Sequence, residues 1–114
     1  MKAKWEKINS SNPNVKIKRM KTPLGWLVRT EDGQAVIHID DKSNKWTENI
    51  LLKWEMIPNS GKDARMWRAK NALGWIIYNS ITQNKRSYEG DSLKLNSSNV
   101  IFVSDEAGEW IIGE

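Results

Sequence analysis

Lys4-Trp5-Glu6-Lys7-Ile8 returns 49 residues later as Lys53-Trp54-Glu55-Met56-Ile57, and Leu24-Gly25-Trp26-Leu27-Val28 returns at the same spacing as Leu73-Gly74-Trp75-Ile76-Ile77. Residues 4–28 align with 53–77 without a gap, and 10 of the 25 positions are identical. A third block, Val36-Ile37-His38-Ile39-Asp40-Asp41 with Trp46, returns as Val100-Ile101-Phe102-Val103-Ser104-Asp105 with Trp110. Its spacing is 64, so the second copy carries 15 more residues, an insertion within 80–99. Self-similarity at this period marks a duplicated supersecondary unit. The two repeats run over about 4–46 and 53–110 of one domain, 1–114.

Within each copy the apolar periodicity is that of strands. Val15-Lys16-Ile17-Lys18 and Leu52-Lys53-Trp54-Glu55-Met56 alternate, while residues 25–30 and 35–40 are rich in β-branched and aromatic side chains. Asp32-Gly33 predicts a two-residue hairpin turn with positive φ at both positions. Asn12-Pro13-Asn14 and Ser60-Gly61-Lys62-Asp63 predict the first turn of each copy. A helix fits only at 43–52, where a link into the second copy is the preferred reading. Each copy thus has about four antiparallel strands. Four strands bury one face and are marginal alone, so the expected fold is all-β, two four-stranded units closing on each other as a pseudo-twofold sandwich or flattened barrel. The insertion is either an extended hairpin with its tip at Tyr88-Glu89-Gly90-Asp91 and Leu93 and Leu95 facing inward, or a functional loop.

Composition narrows the class. With no cysteine there is no disulfide framework and no thiolate zinc site. The N-terminus has no apolar signal segment and no apolar run approaches the ~20 residues of a membrane span, so a cytoplasmic protein without membrane contact is expected. The net charge of +4 is unevenly spread: residues 1–30 and 53–86 carry eight and seven bases against one and two acids, while 31–52 and 87–114 carry two and one bases against five and six acids. Either one basic face attracts an anionic partner, or basic and acidic strands neutralise each other across a sheet.

Catalytic candidates are few. The single histidine, His38, is replaced by Phe102 in the second copy, and no nucleophile arrangement accompanies it. Asp41 and Asp105 are the one acidic pair shared among the carboxylates at these strand ends, which suits turn chemistry better than metal binding. Leu-Gly-Trp carries an isolated glycine, read as a bulge or tight turn before a strand, with no phosphate loop. No cofactor is implied. Of seven tryptophans, six pair between copies (Trp5/Trp54, Trp26/Trp75, Trp46/Trp110) and are assigned to packing. Trp67 alone lacks a counterpart, since Lys18 holds that place. Flanked by Arg65 and Arg68, it either anchors a partner or covers the core. The candidate partner-binding set is Lys16, Lys18, Arg19, Lys21, Arg65, Trp67, Arg68 and Lys70.

Trp5-Glu6-Lys7-Ile8, Arg19-Met20, Gly25-Trp26-Leu27-Val28-Arg29 and Phe102-Val103-Ser104-Asp105 resemble the motifs of small bacterial and phage-associated β proteins, which typically carry one copy with Phe-Val-Pro-Asp before the last Trp. Ser104 stands where that pattern has proline, and the first copy reads Ile-His-Ile-Asp. The resemblance carries no activity with it, and if single-copy relatives pair, it implies a fused dimer that is itself monomeric. The function expected is that of a non-enzymatic binding protein engaging a protein partner, as in phage–host or effector contacts. The alternative is a nucleic-acid binder using the basic strands; a carbohydrate module is a third class and an enzyme the least supported.

Overall fold

The computed structural model describes residues 3–58, 60–86 and 92–112, and the side chains of 83–86 and 92–96 lie outside that description. The described residues form eight strands and no helix: β1 Glu6–Lys7, β2 Ile17–Thr22, β3 Gly25–Thr30, β4 Val36–Asp40, β5 Glu55–Ile57, β6 Ala64–Lys70, β7 Gly74–Arg86 and β8 Ser92–Ser104. They make two antiparallel meanders, β1-β2-β3-β4 and β5-β6-β7-β8, one from each repeat. The four-plus-four all-β organisation is the expected one, and the sheets do not close into a barrel.

The connections follow local chemistry, with one correction. Residues 31–35 join β3 to β4, and only Gly33 has positive φ (76°), so Asp32-Gly33 does not form the expected two-residue turn. Thr30 and Asp32 explain the difference: the Thr30 hydroxyl donates to Asp32 Oδ1 at 2.6 Å, and that oxygen also accepts the Gln34 amide at 3.0 Å. An Asp bonded to its own backbone two residues on favours a longer loop. The insertion lengthens the equivalent hairpin: β7 and β8 stay in register from Gly74↔Ser104 to Arg86↔Ser92. Its tip and the side chains of Leu93 and Leu95 lie outside the described residues. Residues 43–52 are a link, pinned by a parallel bridge between Ser10 and Leu52.

Residues paired across antiparallel strands project from the same face, so the registers define two faces per sheet. In the first sheet, Arg19, Val28 and Ile37 share a face with Ile17, Trp26 and Ile39. Here it is named the arginine face. Lys7, Lys18, Arg29 and Val36 share the reverse face with Met20, Leu27 and His38. In the second sheet Arg68, Ile77 and Ile101 lie on the arginine face, and Trp67, Tyr78 and Val100 on the reverse face with Ala69, Ile76 and Phe102.

The core joins non-equivalent faces. The first sheet buries its arginine face (Ile17, Val28 and Ile39, each at most 1% exposed), whereas the second buries its reverse face (Ala69, Ile76 and Val100, likewise). These form one hydrophobic cluster, extended by Trp46, Leu52, Leu73 and Tyr78 and flanked by Trp54, Trp67 and Phe102. Ser98 on β8 ties the layers at one end, its hydroxyl donating to Asp32 Oδ2 at 3.2 Å and its amide to Gln34 Oε1 at 3.4 Å. A twofold sandwich would bury equivalent faces, so the expected symmetry is corrected: the repeats are stacked as successive layers. The reason is visible in the side chains. Trp67 and Tyr78 on the second sheet's reverse face replace Lys18 and Arg29 of the first, and only the aromatic version can be buried against a neighbour at no charge-desolvation cost.

Candidate functional site

Each repeat holds the same cluster, built around its arginine. Arg19 lies over the rings of Trp26 (3.9 Å) and Trp46 (4.6 Å), as Arg68 lies over Trp75 (3.8 Å) and Trp110 (4.5 Å). Arg19 Nε donates to Glu6 and Arg68 Nε to Glu55, their cross-strand neighbours. Nη1 donates to the Trp46 carbonyl at 2.8 Å and the Trp110 carbonyl at 2.5 Å. An aspartate closes each cluster: Asp41 Oδ2 accepts the Trp26 indole N–H and the Trp46 amide, both at 3.0 Å, and Asp105 Oδ2 accepts those of Trp75 (2.7 Å) and Trp110 (2.9 Å). For Asp41, burial pushes the carboxyl pKa up, but the Trp46 and Lys45 amides and the Trp26 indole outweigh it and hold the group below its usual value. The Glu109 amide, Trp75 indole and Trp110 amide bring Asp105 down to about 2. Gly25 and Gly74 let the paired strand approach: a Cβ on either would overlap the carbonyl oxygen of Ile39 or Val103.

These clusters use four of the shared tryptophans, Trp26, Trp46, Trp75 and Trp110, and both aspartates for packing and turn closure. They also use two of the candidate binding residues. Arg19 is 1% exposed and Arg68 6%, and every guanidinium contact named above is internal. Trp67 is half-buried, packs against the core and lies 6.1 Å from Tyr78 between ring centroids. The remaining candidates are not gathered on one face. Lys16 is exposed beside Glu31 at 4.0 Å, Lys18 lies on the first sheet's reverse face, and Arg65 is exposed at the far end of β6. Lys21 and Lys70 fold back onto carbonyls, Lys21 Nζ onto Thr22 at 3.0 Å and Lys70 Nζ onto Asn71 at 2.7 Å.

Two outward faces remain. On the reverse face of the first sheet, Lys7, Lys18 and Arg29 stand directly opposite one another on β1, β2 and β3. No ion pair to any of the three is formed among the described residues. Arg29 lies 4.6 Å from the Trp5 ring centroid and donates to the Thr30 and Glu31 carbonyls. Like charges directly opposite are destabilising in a sheet. Below that row come Met20, Leu27 and the exposed His38, whose Nε2 is 3.0 Å from the Thr22 hydroxyl and Nδ1 3.3 Å from Asp40.

The arginine face of the second sheet is the apolar counterpart. Ile77, Ile101, Val103 and Met66 occupy the places of Val28, Ile37, Ile39 and Ile17, which in the first sheet belong to the core or pack against it. Here Ile77 stays buried at 3% exposed, whereas Ile101 is 47% and Val103 39% exposed. A groove of about 90 Å³ runs between Met66, Ile77, Asn79, Asn99 and Ile101. Reading for charge and tryptophan missed this face. Its signal was that the copies keep the same apolar positions while only one copy can cover them.

Among the described residues no helix is long and apolar enough to cross a membrane, and no three His, Asp or Glu side chains are grouped as a cation would require. No protein-family model, curated protein or solved structure matches the chain.

Proposed function

We propose that this chain is a non-enzymatic binding module whose partner is a protein, engaged through the arginine face of the second sheet. One observation carries the reading. Positions that are core in the first sheet stay apolar in the second, where Ile101 and Val103 face outward. Exposed aliphatic side chains side by side on a rigid sheet suit a protein interaction surface. Ile101→Glu with Val103→Glu should abolish capture of the partner in a pull-down while leaving the circular dichroism and thermal transition unchanged. Undiminished capture by that variant would refute the assignment of the face.

A second reading rests on the row Lys7, Lys18 and Arg29 beside Trp5. Three unpaired cations on adjacent strands suit phosphates, and Trp5 offers a ring for a base to stack on. Three phosphate contacts to a single strand predict a slope of about −2 in log K against log salt. Fluorescence titration with a thymidine oligonucleotide between low and moderate salt tests it, and a flat titration excludes it.

A further inference from the structure

The join between the two repeats is heterologous: an arginine face packs on a reverse face. It leaves open the reverse face of the first sheet and, on the arginine face of the second, the β8 side chains Ile101 and Val103. From this we infer that the partner of the apolar face is a second copy of this chain, whose first sheet lays its reverse face on the second sheet in the relation the repeats already have. This rests on the assignment of that apolar face as the binding surface.

Two observations support a layer of this identity. First, the reverse face of the first sheet keeps apolar side chains at its centre: Met20, Leu27 and Val36 stand where Ala69, Ile76 and Val100 fill the internal join. Second, the positions that change between copies change on both sides of the join. On the reverse face Tyr78 becomes Arg29 and Trp67 becomes Lys18; on the arginine face Thr30 becomes Asn79 and Ala35 becomes Asn99. Within the chain, Tyr78 and Ser98 lie beside the end of the first sheet at Glu31 and Asp32. In the repeated relation, Arg29 of an incoming copy therefore comes beside the Asn79–Asn99 pair, midway along the β7–β8 ladder. A cation there meets the exposed Asn99, whose side-chain oxygen can accept its hydrogen bond.

The expected monomer depended on equivalent faces closing on each other, which the layered join removes. A heterologous contact does not close on itself, so copies added this way build a ring or an open stack. Sheets stacked face to face lie about 10 Å apart, which sets the advance per layer.

Two single-face variants and their mixture test the inference in sedimentation velocity over a wide concentration range. One variant blocks the apolar face (Ile101→Lys with Val103→Lys); the other blocks the basic face (Lys18→Glu with Arg29→Glu). Circular dichroism and thermal melts establish that both are folded. The wild type should form assemblies that grow with concentration, each variant alone should remain monomeric, and their equimolar mixture should stop at a heterodimer, joined through the one face that each leaves intact. A homodimer of the basic-face variant would mean that two apolar faces pair with each other, and it overturns the inference. A wild type that stays monomeric at the highest concentration also overturns it. If the Ile101→Glu, Val103→Glu variant then still loses capture of another protein, the binding-face assignment stands without self-stacking; if not, both fail.

Discussion

Replacing Arg19 by alanine is the sharpest perturbation of the repeated cluster. The side chain is 2% exposed, so nearly all of it is lost from packed surroundings. Three contributions set the size. The Trp46 carbonyl, which accepts Nη1 at 2.8 Å inside the fold, becomes a buried acceptor without a donor, costing about 1–3 kcal/mol. The guanidinium no longer lies between Trp26 and Trp46, at 3.9 and 4.6 Å, a contact worth about 1–2 kcal/mol when desolvated. The methylene stem leaves a gap that surrounding side chains fill only in part. Glu6 adds little, since its side chain is 46% exposed and rehydrates. The Thr47 carbonyl, on an exposed residue, does the same. The total is about 4 kcal/mol. For a domain of this length that lowers Tm by roughly 15 °C. Urea denaturation followed by far-ultraviolet circular dichroism measures it without relying on tryptophan emission, which the substitution itself alters. Arg65→Ala, at an exposed position, should change stability by less than about 0.5 kcal/mol. An Arg19→Ala protein within about 1 kcal/mol of the wild type would refute the reasoning, because the cluster would then not hold the sheet together.

The same framework gives three further expectations. Gly25→Ala places a Cβ against the Ile39 carbonyl and the Asp41 amide, and should cost about 3 kcal/mol or more in a denaturant titration; a neutral substitution would show that the strands need not approach so closely. Trp67→Ala should destabilise by about 3 kcal/mol, since its ring packs into the join between the layers; an unchanged melt would return Trp67 to the surface. Asp41 and Asp105 both titrate below their unfolded value of 3.8, Asp105 at about 2. Their folded pKa values are depressed, so their contribution is complete above the unfolded pKa and is lost as pH falls through the folded one. Stability should therefore drop between about pH 4 and 2, and the drop should be shallower in the Asp41→Asn, Asp105→Asn double variant. Identical acid profiles for the two proteins would contradict this.

The fold was largely legible because duplication and period-2 alternation are both written in local sequence. The 49-residue repeat marked equivalent strands, while Gly25 and Gly74, read as a bulge or tight turn, sit instead where the paired strand approaches closely. What period-2 alternation leaves open is which face of each sheet is covered. Ile39 and Val103 read alike, yet one is 1% and the other 39% exposed, because burial depends on the layer each meets. The information was present in the differences between copies. Lys7/Met56, Lys18/Trp67, Arg29/Tyr78 and His38/Phe102 all fall on the reverse face, and each exchanges a polar or charged side chain for an apolar or aromatic one. Arg19 and Arg68 were misplaced among surface cations for a different reason. Charge alone does not reveal that two tryptophans, a glutamate and a carbonyl will enclose a guanidinium.

The layered join is the central claim, and solvent accessibility of individual methyl groups tests it most directly. Isoleucine and valine methyl resonances would be recorded with a soluble paramagnetic chelate, at a dilution where the chain sediments as a monomer. Layered packing predicts strong broadening at Ile101 and Val103 with protection at Ile37 and Ile39, their equivalents, and protection at Ile76 and Val100 on the opposite face of the second sheet. Equal protection within the pairs Ile37/Ile101 and Ile39/Val103 would mean that the repeats bury the same face, and would contradict the account.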